Sequence, residues 1–335
     1  MQPPAILRPE DLIRYPRGLY AIDAGYVRPL LASIHLIVDA GRVALVDTGV
    51  NESLPRVEAA LALLGLDNAS VDYVILTHIH LDHAGGAGSF MRAFPKARLV
   101  VHPRGARHMA DPSKLVAGAA AVYGVDEVRR LYGEVLPIDP SRIIEAADGQ
   151  RLSLGGRELV CFDAPGHARH HLVLFDPVGR AAFTGDAFGL SYRELDVGDR
   201  QFVFPTTTPV QFEPEAMRAT VDRIAALPID AVYLTHYSQL RDVPAQAAQL
   251  HRLLDAHLAI AQRARDEEAA AARNDDAASA FDRVAHIRAG LTELLLAECA
   301  AFGCTLPAEE IVDIFATDLE LNAQGLDVWL GATAG

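Results

Sequence analysis

The chain has 335 residues, of which 50% are hydrophobic and 22% are charged, so it can bury a full core and is neither disordered nor fibrous. Its formal net charge of −14 argues against a nucleic-acid-binding surface, because phosphate recognition needs a clustered basic face. The sequence has no apolar run of about 18 residues and no N-terminal basic segment followed by a long apolar one. We therefore expect a cytoplasmic protein that acts on a small molecule, with neither a membrane span nor a nucleic-acid partner.

The first part of the chain predicts a β-hairpin followed by a helix. Residues 34–38 and 43–47 are β-rich runs, separated by an Asp-Ala-Gly turn. His35 falls inside the first run and is interpreted as a core histidine. Apolar residues at helical spacing predict a helix over 54–64, which Gly65 ends.

A stretch dense in metal-ligand side chains follows. Residues 71–76 are apolar and predict a buried strand, and residues 77–83 read Thr-His-Ile-His-Leu-Asp-His. A glycine-rich turn at 84–88 then leads into a helix predicted near 89–94. Imidazole and carboxylate together suit divalent metals such as zinc or iron, and the glycines let the chain fold back onto an ion. The candidate ligands in this stretch are His78, His80, Asp82 and His83.

Four further motifs lie at the ends of predicted strands. Asp47 stands in Val-Asp-Thr-Gly, and His167 in Pro-Gly-His. Asp186 stands in Phe-Thr-Gly-Asp, and His236 ends the β-rich run Val-Tyr-Leu-Thr-His. Together with the His-x-His-x-Asp-His stretch, these motifs resemble the metallo-β-lactamase superfamily over roughly residues 18 to 240.

The resemblance implies an α/β fold, a four-layer αββα sandwich, and a site for two divalent metal ions. Zinc is favoured, with iron or manganese as alternatives. The first ion would be held by His78, His80 and His167. The second would be held by Asp82, His83 and His236, and Asp186 would bridge the two ions. Asp82 would also orient the attacking hydroxide, and Asp47 would hydrogen-bond a ligand histidine or its loop.

The resemblance to glyoxalase II-like members implies hydrolysis of a thioester or another activated ester or lactone by a metal-bridging hydroxide. The β-lactamases themselves lack a counterpart of Asp186, so β-lactamase activity is not expected. Two alternatives stay open. Persulfide dioxygenases hold one iron through counterparts of His78, His167 and Asp186, and a regulatory or binding protein could keep the fold without catalysis.

Several residues outside the ligand set bear on the shape of the pocket. Glyoxalase II-like chains often have glycine where this chain has His170. His170 and His171 could approach the pocket or begin the next strand, and we favour the strand. His102 is not expected to be a ligand. A helix predicted near 119–132 lies in a region that varies in the family. The candidate substrate contacts are Phe188, Tyr192, Phe204 and Tyr237.

The last ninety residues predict a separate helical region. Leucines at helical spacing predict a helix from about residue 244 to 273, a break at 274–276 and a second helix to about 303. A third helix is predicted over 307–321. We therefore expect a hydrolase domain at 1–241 and an α-helical subdomain at 242–335, whose apolar faces cover the active site or form a homodimer.

Overall fold

Residues 7–273 and 281–333 are described by the structure, a computed structural model. They divide into two compact units. The described residues of the first unit are 7–164, 170–185 and 227–241. Those of the second unit are 165–169, 186–226, 242–273 and 281–333. The domain boundary between residues 241 and 242 stays a prediction.

Two β-sheets build the first unit. One contains, in spatial order, β1 (Ile13–Tyr15), β2 (Leu19–Asp23), β3 (Ser33–Asp39), β4 (Arg42–Val46), β5 (Val71–Ile75), β6 (Arg98–Val101) and β7 (Ile143–Glu145). The other contains β8 (Arg151–Leu154), β9 (Arg157–Asp163), β10 (Leu172–Asp176), β11 (Ala181–Gly185), β12 (Ala231–Leu234) and β13 (Ser238–Arg241), again in spatial order. Strands β4 to β7 run parallel, as do β11 and β12. The carboxyl ends of β4 and β5 therefore meet at one edge of their sheet, and those of β11 and β12 meet at one edge of theirs.

Alternating side chains divide the first unit into two cores. In β4, Val43 and Leu45 belong to the core shared with the helices, whereas Ala44 and Val46 belong to the core between the sheets. The helices of this unit are α1 (Leu54–Leu63), α2 (Leu81–Ala84), α3 (Ala87–Ala93), α4 (Pro103–Ala110), α5 (Ser113–Tyr123) and α6 (Val125–Tyr132). The two sheets and their helices confirm the α/β fold class.

The hairpin and first helix predicted from the sequence are confirmed. Strands β3 and β4 pair antiparallel through a turn at Ala40 and Gly41, whose φ angles are 47° and 76°. Helix α1 ends just before Gly65, which adopts a φ of 71°. His35 is buried, with its Nε2 at 3.4 Å from the Ser33 hydroxyl and 3.3 Å from that of Ser238. It is the core histidine that we expected.

The prediction of a single helix over 119–132 is wrong. The structure has two helices there, α5 and α6, because Gly124 interrupts the chain with a φ of 86° and a ψ of 152°. A residue without a β-carbon takes up this conformation at little cost.

The second unit is helical. Its helices are α7 (Pro214–Ala225), α8 (Val243–Ala271), α9 (Arg283–Phe302), α10 (Ala308–Ile314) and α11 (Ala316–Thr333). The third tail helix, predicted over 307–321, is instead two helices that meet at Phe315, and the second continues to Thr333. The break predicted at 274–276 lies outside the described residues. None of the described helices is long and apolar enough to cross a membrane.

Helix α11 lies directly against the loop that precedes α7. The backbone N–H of Thr207 donates to Oδ1 of Asn322 at 2.6 Å, and Nδ2 of Asn322 donates to the carbonyl of Pro205 at 3.0 Å. A β-carbon at Gly325 would overlap the carbonyl oxygen of Thr207. The C-terminal helix therefore fixes the backbone of this loop at van der Waals distance.

Candidate metal centre

The ligand-type residues of the first unit lie just beyond the carboxyl ends of two parallel strand pairs. Residues 78–83 follow β5 and run into α2, and His236 follows β12 by two residues. Strand ends are rigid, so the side chains that follow them are held in place by the sheet hydrogen bonds. The sequence predicted this placement from the apolar run before each motif.

Asp82, His83 and His236 converge into one group. Oδ2 of Asp82 lies 3.4 Å from Nε2 of His83 and 3.2 Å from Nε2 of His236, and the three ligand atoms all lie within 4.8 Å of one another. A tetrahedral zinc ion with bonds of about 2.0–2.1 Å separates its ligand atoms by about 3.3 Å. Two imidazoles and a carboxylate at this spacing therefore fit a divalent ion.

Hydrogen bonds on the far side of each imidazole set its orientation. Nδ1 of His83 lies 2.9 Å from Oδ2 of Asp47, and Nδ1 of His236 lies 2.8 Å from the carbonyl of Leu31. Both acceptors favour a hydrogen on Nδ1, which leaves the lone pair of each Nε2 for the converging group.

Asp47 joins three of the segments around this group. Its carboxylate accepts the backbone N–H of Thr77 at 2.8 Å, the hydroxyl of Thr235 at 2.6 Å and Nδ1–H of His83 at 2.9 Å. The side chain is buried, and the residue adopts a φ of 60°. Asp47 thus ties the loops after β5 and β12 to the end of β4. Its role beside the site stays a prediction.

His78 and His80 lie next to this group in the first unit. Nε2 of His78 lies 2.9 Å from Nδ1 of His80, and the ring centroids of His78 and His83 are 4.0 Å apart. His78 is fully buried, and its Nδ1 lies 3.2 Å from the hydroxyl of Thr77. The first unit therefore gathers five ligand-type residues: His78, His80, Asp82, His83 and His236.

The remaining two ligand-type residues belong to the second unit. Nε2 of His167 lies 3.5 Å from Oδ2 of Asp186, and both side chains are buried. His167 follows Gly166, whose φ is 132° and whose Cα packs on the backbone of Met217 in α7. The spacing of this imidazole–carboxylate pair also suits two ligands of one ion.

Two opposing effects act on Asp82. Burial raises the pKa of its carboxyl, but the charges and hydrogen bonds of His83 and His236 in their protonated forms outweigh burial and hold the pKa well below its ordinary value. The carboxylate is therefore ionised at neutral pH, as a metal ligand must be.

A tyrosine pair near Asp82 was not fully predicted from the sequence. The hydroxyl of Tyr26 donates to that of Tyr132 at 3.0 Å, and the two rings stack with centroids 5.8 Å apart. Burial, followed by the negative charge of Asp82, raises the pKa of both hydroxyls. Tyr132 lies in the helix predicted near 119–132, in the region that varies in the family. Tyr26 stands in a loop and offered no pattern by which to find it.

The structure also places three histidines outside the predicted ligand set: His102, His170 and His171. Nε2 of His102 donates to Asp163 at 3.0 Å, and Nδ1 accepts the N–H of Arg104 at 3.1 Å. His170 and His171 do not begin a strand, because β10 starts one residue later, at Leu172. The ring of His171 instead stacks on that of His78, with centroids 4.7 Å apart.

The candidate substrate contacts are all buried. Tyr192 donates its hydroxyl hydrogen to Asp318 at 3.0 Å, and its ring meets that of Phe315 edge to face. Phe204 also meets Phe315, at 5.7 Å between centroids. The relative exposures of Phe188, Tyr192, Phe204 and Tyr237 are 0%, 1%, 0% and 2%. Their contact with substrate stays a prediction.

Comparison with known proteins finds one matching family and several similar proteins. The model of the metallo-beta-lactamase superfamily matches residues 27–236. The metallo-beta-lactamase fold-containing protein ST1585 of Sulfurisphaera tokodaii is 30% identical over 200 residues, which are 58% of this chain and 69% of that protein. A solved structure of ST1585 superposes with a TM-score of 0.58 and 26% identity, over 71% of this chain and 85% of that one.

Two enzymes resemble this chain over part of their length. Acyl-coenzyme A thioesterase MBLAC2 of Gallus gallus is 29% identical over 171 residues, or 46% of this chain and 57% of that protein. Hydroxyacylglutathione hydrolase of Fuscovulum blasticum is 28% identical over 201 residues, or 60% of this chain and 59% of that protein. The chain thus spans less than two thirds of either enzyme.

One solved structure matches nearly the whole chain. The family protein TTHA1429 of Thermus thermophilus covers 95% of this chain and 94% of its own, with a TM-score of 0.60 and 23% identity. At this identity the likeness concerns the fold alone.

Proposed function

The chain belongs to the metallo-beta-lactamase superfamily, and from that premise we propose that it is a dinuclear metal-dependent hydrolase of thioesters or other activated esters. The convergence of Asp82, His83 and His236, with both imidazoles oriented from behind, carries the proposal. The names of two relatives, a thioesterase and a hydroxyacylglutathione hydrolase, support it.

The ligands are assigned by motif. His78, His80 and His167 would hold one divalent ion, Asp82, His83 and His236 would hold the other, and Asp186 would be shared between them. When bound, two such ions lower the pKa of a shared water toward about 7 and polarise a carbonyl oxygen. The donor set favours zinc, with iron or manganese as alternatives.

The protein groups position the reacting atoms. Neutral imidazoles hold the ions without cancelling their charge, and two carboxylates leave the loaded site positive overall. Asp82 stays ionised at neutral pH, so one of its oxygens accepts a hydrogen bond from the attacking water and orients it. Asp47 keeps the Nδ1 hydrogen of His83 in place and so preserves the ligand tautomer.

A thioester suits this set of residues better than a lactone. A thiolate, with a pKa of about 8.5 for its conjugate acid, leaves without much help from a proton donor. A departing alkoxide needs one, and the sequence offers Tyr192 or Tyr237 for that role. Tyr192 donates its hydroxyl hydrogen to Asp318. The aromatic residues proposed for substrate contact favour an uncharged acyl group over a phosphodiester.

The proposal is tested on one preparation of the protein with its metal content measured. We expect two divalent ions per chain and turnover of simple acyl thioesters, slower turnover of lactones and little of bis(p-nitrophenyl) phosphate. A clear preference for the phosphodiester would overturn the substrate class. One iron per chain, with oxygen consumed in the presence of a persulfide, would replace the hydrolase by a dioxygenase.

Replacing Asp186 tests the dinuclear assignment. Asp186→Ala removes the proposed shared ligand, so the metal content should fall below two per chain and hydrolysis by orders of magnitude. Asp199→Ala, an exposed aspartate farther along the same segment, serves as the control and should change neither quantity. Wild-type metal content and rate in Asp186→Ala would disprove the assignment.

A further inference from the structure

His170 lies beside the two histidines of the first unit that we assign to one ion. Its ring is parallel to that of His78, with centroids 6.2 Å apart and 10° between the planes. It is edge-on to the ring of His80, at 5.5 Å and 86°. Among the described residues, His170 belongs to none of the ligand-type groups that converge within 4.8 Å. It is therefore next to the centre without being one of its ligands.

One ring nitrogen of His170 is buried without a hydrogen bond. Nδ1 is shielded from solvent and has no hydrogen-bond partner among the residues that the structure describes. A buried N–H without an acceptor is rarer in proteins than a buried acceptor without a donor. In the neutral ring the hydrogen is therefore favoured on Nε2, which makes Nε2 a hydrogen-bond donor.

The neighbouring His102 shows the opposite arrangement. Its Nδ1 accepts the backbone N–H of Arg104, and its Nε2 donates to Asp163. Both nitrogens of His102 are thus used within the protein, and its ring is fixed as part of the scaffold. For His170, by contrast, Nδ1 has no partner within the described residues, which leaves Nε2 as the nitrogen that donates.

We propose that His170 contacts the substrate and donates a hydrogen bond from Nε2 to its acyl oxygen. This inference rests on the proposed hydrolase function and adds a residue to it. A fixed donor at the oxygen where negative charge develops stabilises the transition state more than the bound substrate. Its removal should therefore lower kcat and leave KM nearly unchanged.

The experiment compares His170→Leu, which cannot donate, with His170→Gln, whose side-chain amide can. His251→Leu is the control. His251 lies on α8, and its side chain pairs with that of Asp222 on α7. Each metal-loaded variant is assayed for metal content, for kcat and KM on one acyl thioester, and for hexanoate affinity by calorimetry. Thermal unfolding checks that each variant is folded, and His170→Ala replaces His170→Leu if the leucine variant does not fold.

We expect His170→Leu to keep two ions per chain and to lose about 10²-fold in kcat, the effect typical of a lost oxyanion donor. His170→Gln should recover part of that loss. Hexanoate carries negative charge on its carboxylate oxygens, as the transition state does on the acyl oxygen, so it should bind more weakly to His170→Leu than to the wild type. Wild-type kcat in His170→Leu, or equal losses in the leucine and glutamine variants, would overturn the proposal. So would a lower metal content, because His170 would then act on the ions and not on the substrate.

Failure of the hydrolase function is distinguishable from failure of this inference. If the wild-type protein hydrolyses no ester or thioester, the proposed function is disproved. The hexanoate affinities of the wild type and His170→Leu then test the inference about His170 by themselves. Unchanged hexanoate affinity in His170→Leu would then reject the substrate contact.

Discussion

At the scale of single residues, Asp47 is a buried carboxylate that connects the loops of the candidate metal centre. It accepts hydrogen bonds from Thr77, His83 and Thr235, which come from two separate loops. Besides Asp47, the contact between Asp82 and His236 also joins these two loops. A substitution at Asp47 should therefore affect metal binding before it affects any other function.

We expect Asp47→Ala to weaken metal binding by about 10- to 100-fold, the range found when a partner behind a ligand histidine is lost. Competition with a chromophoric chelator measures the affinity, and Asp222→Ala, an exposed aspartate of α7, is the control. Unchanged metal affinity in Asp47→Ala would show that the loops hold their positions without it.

His257 gives a prediction about pH. Burial lowers its pKa to about 4 from the ordinary value of 6.5. Between these values the unfolded chain binds a proton that the folded protein excludes, so stability falls as the pH falls below 6.5. From pH 7 to pH 5 this amounts to about 2 kcal/mol of unfolding free energy.

His257→Leu removes the ionisable group, so its loss of stability over that interval should be smaller than that of the wild type by about 2 kcal/mol. Urea unfolding at pH 7 and pH 5 measures the difference. Equal losses in the two proteins would mean that His257 does not titrate in this range.

At the scale of elements, the contact between α11 and the loop at Pro205–Thr207 is close enough to exclude a methyl group. A β-carbon at Gly325 would overlap the carbonyl oxygen of Thr207, whereas one at Gly331 in the same helix would meet nothing within 4 Å. The two glycines therefore form a matched pair for substitution.

Gly325→Ala should destabilise the protein by about 1–3 kcal/mol, because either the helix or the loop must move. Gly331→Ala should be neutral or stabilising by up to about 1 kcal/mol, since alanine favours the helix. Thermal unfolding of both variants checks the pair. Equal melting temperatures for the two would contradict the close contact.

The elements also show what the sequence could and could not predict. Residues 34–47 and 71–83 carry their own signals, since alternating apolar residues and turn residues determine local structure. Gly124 did not predict a helix break, because an isolated glycine is also tolerated within helices. Tyr26 reaches Tyr132 across 106 positions in sequence, and no local pattern encodes such a contact.

At the scale of the whole molecule, the C-terminal helices are part of the second unit's core. Tyr192 and Phe204 are almost fully buried, and both contact Phe315 at the junction of α10 and α11. A homodimer formed through these helices stays a prediction. Their contacts within the chain are enough to explain the apolar faces seen in the sequence.

A chain that ends after Arg241 should lose solubility, because it exposes the aromatic residues that α8–α11 cover. Its soluble fraction and its mass by light scattering are compared with those of the full chain. A chain that ends after Leu330 lacks the exposed residues 331–333 and is the control. If the short chain stayed monodisperse with unchanged kinetics, the helices would have no part in folding or specificity.

The hydrogen bond between Thr207 and Asn322 spans 115 positions of sequence. At a synthesis rate of about 5–20 residues per second, the ribosome makes Asn322 on the order of 10 s after Thr207. During that interval the apolar segment around Phe204 leaves the ribosome, whereas α11, which packs on the neighbouring Thr207, has not yet been made. Chaperones that hold unfinished chains, or a lower growth temperature, should therefore raise the yield of this protein more than that of proteins whose contacts are local.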